Sequence, residues 1–328
     1  MSDASAWPIA MADVLEARRR LRPHLAPTPL RRYATLDAAV GRGISVFVKH
    51  ENHNPTNSFK VRNAVSAVTA LPPAALWRGI AGATRGNHGL GLSWAGARLG
   101  VAVTICVPQG NNPEKNEAMR GLEATLIEEG KDYDESVVVA DRLVRERGLT
   151  LIHSTNDPSV IAGAATIALE ILEEAPDLDA LVVSIGGGSQ AVGAMTVTRA
   201  LRPGLEVFGV QAARASAAHD SWHAGRPLTT ESADTFADGL ATRSVYALTF
   251  PALQAGLAGF VTATEAEIAE GIRLFLRTTH NLAEGAGAAG LAGLFSLRDR
   301  LAGKKVALIL SGGNLDASTL ARVVAGQL

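Results

Sequence analysis

The chain has 328 residues, a formal net charge of -1 and 47% hydrophobic residues, enough for one large domain or two smaller ones with a sizeable core. A near-neutral balance with no basic run among aromatics argues against a nucleic-acid or other polyanion partner, and no apolar run is long enough to span a membrane. The N-terminus Met-Ser-Asp-Ala-Ser has no basic flank before an apolar stretch, so a cytoplasmic protein is expected.

In chain order, Met11 to Arg22 has helical spacing, and Pro23, Pro27 and Pro29 break it. Ile44 to Lys49 is a strand bounded by Gly43. Next comes Asn54 to Ala64, which reads Asn-Pro-Thr-Asn-Ser-Phe-Lys-Val-Arg-Asn-Ala. Asn-Pro marks a turn, Thr56, Asn57 and Ser58 are N-cap candidates, and Lys60 falls in the first turn of the following helix. The positive end of a helix dipole disfavours an ammonium there, and burial beside Phe59 pushes the same way. The outcome is the free amine that covalent chemistry with a carbonyl needs. The plainer alternative is an exposed lysine on a surface helix.

From Gly79 the pattern changes to short alternating elements: strand Gly79 to Thr84, helix Asn87 to Leu99, strand Val101 to Val107, helix Pro113 to Arg120, strand Ala124 to Ile127, helix Tyr133 to Glu146 and strand Leu151-Ile152. This is a compact three-layer α/β unit. Cys106, the only cysteine, lies in the apolar run Val-Thr-Ile-Cys-Val of one strand and is expected in the core. A second series follows: helix Pro158 to Glu173, strand Ala180 to Ile185, helix Gln190 to Leu201, strand Glu206 to Val210, helix Thr264 to Thr278, helix Ala286 to Leu297 and strand Lys305 to Leu310. Ala212 to Thr249 is hard to assign and includes much loop. The division is residues 1–78 with 155–328 against residues 79–154, and clefts between such units are common ligand sites.

Chemistry concentrates at strand ends. Ser184-Ile-Gly-Gly-Gly-Ser-Gln190 joins a buried strand to a helix. Consecutive small residues let backbone N–H groups converge, and the helix terminus adds positive potential, an arrangement suited to phosphate. A tight turn with no ligand is the alternative. No Gly-Lys-Ser/Thr follows, so ATP and GTP are poor candidates. Gly285 to Gly290 matches a dinucleotide fingerprint as a string, but no buried strand precedes it and no ribose-binding acid follows, so it signifies close helix packing. Thr84, Arg85, Asn87 and His88 crowd donors into one strand-helix turn, where capping by Asn87 with solvated Arg85 and His88 is the alternative. Ser311 ends a buried strand, where open α/β sheets place ligand contacts; a local turn hydroxyl is the alternative.

With these segments together, the chain resembles the pyridoxal-phosphate-dependent serine/threonine dehydratases, of the α/β fold shared with tryptophan synthase β subunits (fold type II). The resemblance covers nearly the whole chain. Ser58-Phe59-Lys60-Val61-Arg62 is similar to the Schiff-base lysine motif and Gly86-Asn87-His88-Gly89 to the asparagine loop. Gly186-Gly187-Gly188-Ser189 is similar to the phosphate loop, with Ser189 in place of a fourth glycine. Ala237 to Leu240, including Gly239, and Glu284 to Ala288 match segments near the cofactor. Ser311 to Asn314 matches the loop whose serine partners the pyridine nitrogen.

The resemblance implies two open-sheet domains with pyridoxal 5'-phosphate in the cleft between them: a large cofactor domain (1–78 and 155–328) and a small mobile substrate domain (79–154). It implies Lys60 as the catalytic base, cofactor contacts from Phe59, Asn87, Gly186, Gly187, Gly188, Ser189, Gly239, Glu284 and Ser311, and substrate contacts from Thr84, Arg85, Asn87 and His88. The implied reaction is ammonia release from a β-hydroxy amino acid of the threonine or serine type by a homodimer. Alternatives are a dehydratase of 3-hydroxyaspartate or of hydroxyectoine utilisation, a non-catalytic pyridoxal-phosphate-binding protein, and a nucleotide-binding protein using the 186–188 glycines.

Three departures qualify it. Thr84 and Arg85 replace two serines usual in the family, the second of which is the opposite-face base of related racemases, so racemisation is not expected. Gln211 and Ala217 stand where relatives place metal-binding carboxylates, and hard cations need charged oxygen ligands, so no metal is expected. Nothing follows Leu328, so feedback through a C-terminal regulatory domain is not expected.

Overall fold

The structure is a computed structural model that describes residues 6–328, apart from the Asp134 side chain. The leader-free reading of Met1 to Ser5 lies outside the described residues. The chain opens with α1 (Met11–Leu21), β1 (Leu30–Arg32), α2 (Ala34–Val40), β2 (Ser45–His50), α3 (Lys60–Ala70) and α4 (Pro73–Trp77). It then builds β3 (Ile80–Ala83), α5 (Asn87–Leu99), β4 (Val103–Val107), α6 (Pro113–Gly121), β5 (Thr125–Glu128), α7 (Tyr133–Arg147) and β6 (Thr150–Leu151). The remainder comprises α8 (Pro158–Glu174), β7 (Ala180–Ser184), α9 (Ser189–Leu201), β8 (Glu206–Ala212), α10 (Ala217–Ala224), α11 (Phe250–Gly256), β9 (Gly259–Ala263), α12 (Glu265–Thr279), α13 (Gly285–Leu297), β10 (Lys305–Leu310) and α14 (Ala317–Val324).

Two open sheets result. One has the order β1-β2-β10-β7-β8-β9 and the other β5-β4-β3-β6. Every pairing is parallel except β1 with β2. Parallel strands joined by helical crossovers must be covered on both faces, which accounts for their nearly continuous apolar sequences. On one face of the larger sheet Val182, Phe208 and Leu308 pack with α12 and α13 residues such as Ile272 and Leu291. On the other face Leu181, Val183 and Ile309 meet α1, α8 and α9. Among the described residues no helix is long and apolar enough to cross a membrane.

Several local expectations need correction. The α3 N-cap is Phe59, with no side-chain cap, rather than Thr56, Asn57 or Ser58. The preceding turn is held from far away: Asn314 Nδ2 donates to the Thr56 carbonyl at 2.8 Å and Gly313 N–H to the Asn57 carbonyl at 2.9 Å. Residues 212–249, hard to assign from the sequence, hold α10 and a 3-10 turn at Asp238–Leu240 among long stretches of loop. The Gly285–Gly290 string is the first turns of α13, buried against its neighbours as expected.

Buried charge braces α3. Arg62 donates to Glu51 at 2.7 and 3.0 Å and to Glu170 at 2.6 and 2.8 Å. Lys49 joins Glu170 at 2.8 Å. Two glycines let neighbouring helices press on the same segment. A Cβ on Gly91 of α5 would stand 2.7 Å from the Lys60 carbonyl oxygen, and one on Gly163 of α8 would stand 2.6 Å from that of Arg62.

Candidate active site

The strand ends of both sheets border one cavity, where open α/β sheets place ligands. Lys60, Asn87, Gly186 to Gly188 and Ser311 all line it. Lys60 starts α3 on one side. Its Nζ donates to the Ser154 carbonyl at 3.1 Å and lies 4.9 Å from the centre of the Phe59 ring. Burial lowers its pKa to about 8, opposed by the Glu284 carboxylate. The alternative of an exposed surface lysine is therefore overturned. Phe59 N–H donates to the Ser311 carbonyl at 2.9 Å, and Ser58 pairs with Gly312, so the lysine segment and the serine loop are stitched together.

Asn87 is the first residue of α5, capped by Gly86, so it is no N-cap. Its side chain is fixed instead at both ends. Nδ2 donates to Glu284 Oε1 at 2.6 Å, and Oδ1 accepts from Asn314 Nδ2 at 2.7 Å. Burial raises the Glu284 pKa to about 7, against the pull of Lys115 and the Asn87 hydrogen bond. His88 is buried rather than solvated. Burial, with the Lys60 charge, lowers its pKa to about 3, and its Nε2 donates to the Ile152 carbonyl at 2.9 Å. The neutral ring then has only an acceptor at Nδ1, which has no partner. His88 can offer a substrate carboxylate its backbone N–H but no ring donor. Thr84 Oγ1 accepts from Gly86 N–H at 2.9 Å and shapes the turn.

The glycine run leads into α9, with Gly188 at φ +97 as its N-cap. Each neighbour presses on it: a Cβ on Gly186 would meet the Gly239 carbonyl oxygen at 2.2 Å, and one on Gly187 would meet Thr155 Oγ1 at 2.4 Å. Thr249 Oγ1 donates to the Gly187 carbonyl at 2.7 Å. In a trans peptide the N–H points opposite its carbonyl, so this bond turns the Gly188 N–H away from Thr249. Ser184 Oγ and Gln190 Nε2, at the two ends of the run, are buried without partners and line the same cavity. Unspent donors beside a helix N-terminus fit a phosphate-bearing group.

Sequence reasoning missed other cavity residues. Lys115 of α6 reaches Asp238 Oδ2 at 2.9 Å, and its side chain covers Gly86. Tyr133 approaches Ser154 Oγ at 3.3 Å and is hydrogen-bonded to Tyr246, whose ring stands edge-on to His153. No spacing rule marks these residues. Gln211, expected to supply no metal ligand, accepts from the Ala218 and His219 N–H groups at 3.1 and 3.0 Å and so caps α10.

Fold and site together define an α/β architecture with a cavity lined by one amine of lowered basicity, a glycine run at a helix N-terminus and unpartnered buried donors. Residues 21–312 match the family described as pyridoxal-phosphate dependent enzyme. The L-threonine ammonia-lyase of Thermotoga maritima is 35% identical over 96% of this chain and 78% of its own length. The L-threo-3-hydroxyaspartate ammonia-lyase of a Pseudomonas species is 33% identical over 96% of this chain and 98% of its own. The processed threonine deaminase isoform 2 of Solanum lycopersicum superimposes with a TM-score of 0.91 at 29% identity, covering 96% of this chain and 92% of that one. The chain belongs to this family of pyridoxal-phosphate dependent enzymes, and pyridoxal 5'-phosphate is its cofactor.

Proposed function

We propose that the protein is an ammonia-lyase that converts a β-hydroxy amino acid into a 2-oxo acid and ammonia. The observation that carries this reading is the Lys60 amine, brought to a pKa of about 8 in the cavity that the glycine run also lines. The names of the relatives support the same reaction class.

Lys60 Nζ would anchor the cofactor, with Gly186, Gly187, Gly188 and Ser189 around its phosphate, Phe59 and Gly239 beside it, Asn87 and Glu284 toward the ring hydroxyl, and Ser311 toward the ring nitrogen. When bound, the cofactor supplies an electron-withdrawing ring that stabilises negative charge at the substrate α-carbon. As the free amine, Lys60 Nζ would take the α-proton, a task that requires a base titrating near working pH. The Ser154 carbonyl, 3.1 Å away, orients that amine. The α5 terminus, through the Asn87 and His88 N–H groups with Thr84, holds the substrate α-carboxylate, and Arg85 stands beside that turn on the side-chain end of the substrate. Ser311 is a neutral hydroxyl and brings no charge to the ring nitrogen. Water leaves across the Cα–Cβ bond, and the released enamine tautomerises and regains one water as it gives up ammonia.

In this reading residues 79–154, which carry the four-stranded sheet, are the small substrate-binding unit, and residues 1–78 with 155–328 are the large cofactor unit. A cytoplasmic homodimer completes the proposal, tested by light scattering and cell fractionation. The test of function is ammonia and 2-oxo acid release from L-threonine and L-serine by the holoenzyme. Neither product from any β-hydroxy amino acid would overturn it.

A further inference from the structure

The cavity does not end at the cofactor site. A second chamber of about 250 Å³ adjoins it and shares Arg85, Tyr133, Ala241, Thr242 and Tyr246 with it. Threonine ends in a methyl group on the β-carbon, and a space able to hold several waters, at roughly 10–15 Å³ of such volume each, exceeds what that methyl requires.

The polar groups at the junction are not equally available. Tyr133 is engaged with Ser154 and Tyr246, and Thr242 Oγ1 accepts from Gln211 Nε2 at 3.4 Å. Lys115, which lines only the cofactor side, is held by Asp238 at 2.9 Å. Arg85 differs. Its nearest charge is Asp238 at 4.0 Å, with side chains 41% and 42% exposed, and among the described residues it donates no closer hydrogen bond. A pair that long and that exposed holds the guanidinium weakly. Arg85 is thus a fork of donors, loosely tethered, at the doorway between the two spaces. A guanidinium presents donors only, so its complement is an acceptor.

We infer that the chamber receives the substrate side chain, and that the preferred substrate is a β-hydroxy amino acid bearing a carboxylate or carbonyl beyond its β-carbon, directed at Arg85. Threonine and serine, which lack such a group, are then secondary substrates. This rests on the lyase reading above and specifies its substrate class. Arg85 and Thr242 are specificity residues in this scheme.

The experiment has a turnover arm and a binding arm, both on holoenzyme. Turnover compares L-threonine with 3-hydroxyaspartate, 3-hydroxyasparagine and 3-hydroxyglutamate. Binding compares their deoxy counterparts, L-2-aminobutyrate, L-aspartate, L-asparagine and L-glutamate, by the shift in cofactor absorbance. The expected result is a kcat/KM at least tenfold higher for a tailed substrate than for threonine. Arg85→Ser should cut that ratio at least tenfold and narrow the binding preference in parallel. Thr242→Trp, which fills the chamber, should cut it most for 3-hydroxyglutamate. Preference for acid over amide identifies the acceptor as an anion, and equal preference identifies a carbonyl. Threonine equal to or better than every tailed compound overturns the inference and leaves the lyase reading standing. Equal losses for short and tailed substrates in Thr242→Trp also overturn it, because the chamber is then only an entrance. Absence of ammonia with Arg85-dependent binding of the tailed analogues upholds the chamber and ends the lyase reading.

Discussion

Lys115 Nζ lies 2.9 Å from Asp238 Oδ2, and the two residues come from opposite sides of the cleft. Lys115 belongs to the unit with the four-stranded sheet, and Asp238 follows the strands of the larger one. The lysine side chain is almost covered and the aspartate is half-exposed, so the pair is partly screened and ties these two segments together by about 1 kcal/mol or less. Lys115→Met should leave the Tm within about 4 °C and raise KM severalfold. Limited proteolysis near the cleft should accelerate. An unchanged KM would deny the pair a closing role.

Apoenzyme recapture of cofactor requires the free amine of Lys60. The fraction of free amine grows with pH through its pKa, which burial sets at about 8. The rate of recovery of visible absorbance should therefore climb with pH and level off above about 8. The Glu284 carboxylate raises the Lys60 pKa, so Glu284→Gln should bring the plateau to lower pH. A wild-type plateau only near the ordinary lysine value of about 10.4 would contradict the burial argument.

Lys60→Ala should abolish both the bound-cofactor absorbance and turnover while the thermal transition stays close to wild type. Turnover that survived in this variant would remove Lys60 from the role of base.

Gly187→Ala places a methyl 2.4 Å from Thr155 Oγ1 and 2.8 Å from the Tyr246 ring. Something must move, at a cost of about 1–3 kcal/mol, and the cradle is what moves most easily. Cofactor affinity should fall at least about tenfold, the equivalent of about 1.4 kcal/mol, measured by titration of apoenzyme. Unaltered affinity would remove this glycine from the phosphate site.

Arg62→Leu leaves Glu51 and Glu170 buried without their main partner. Breaking a buried pair from one side costs about 3–5 kcal/mol, read as a lower urea midpoint. Because α3 carries Lys60 on its first turn, the cofactor should also be lost earlier in the denaturation curve than in wild type. A midpoint within error of wild type would show that the network is dispensable.

The sequence made parts of this architecture readable and hid others for physical reasons. Buried parallel strands such as Ala180–Ser184 and Lys305–Leu310 are continuous apolar runs, and the glycine run and Lys60 follow strand or turn signals that are local. The first turn of α3 at Lys60 is readable, but its cap is not, because Asn314 and Gly313, some 250 residues onward, hold the preceding turn in place of a side-chain cap. The sequence places His88 among the substrate contacts but does not show that its ring donor goes to the Ile152 carbonyl, a contact made only by the tertiary fold. Lys115, Tyr133, Tyr246 and Thr249 escaped notice because each lies in an ordinary helix or loop and acquires a neighbour only through the tertiary fold. Short edge elements, such as Leu30–Arg32, bury too little to leave a pattern.

Cys106 sits on β4 with no exposed surface, and burial pushes its thiol up to about 11. A thiolate is the reactive species, so the Cys106 thiol is shielded from thiol-directed reagents at neutral pH in the folded molecule. Each modification event therefore counts one opening of the smaller sheet, and a maleimide added to the intact holoenzyme serves as an unfolding counter that needs no engineered label.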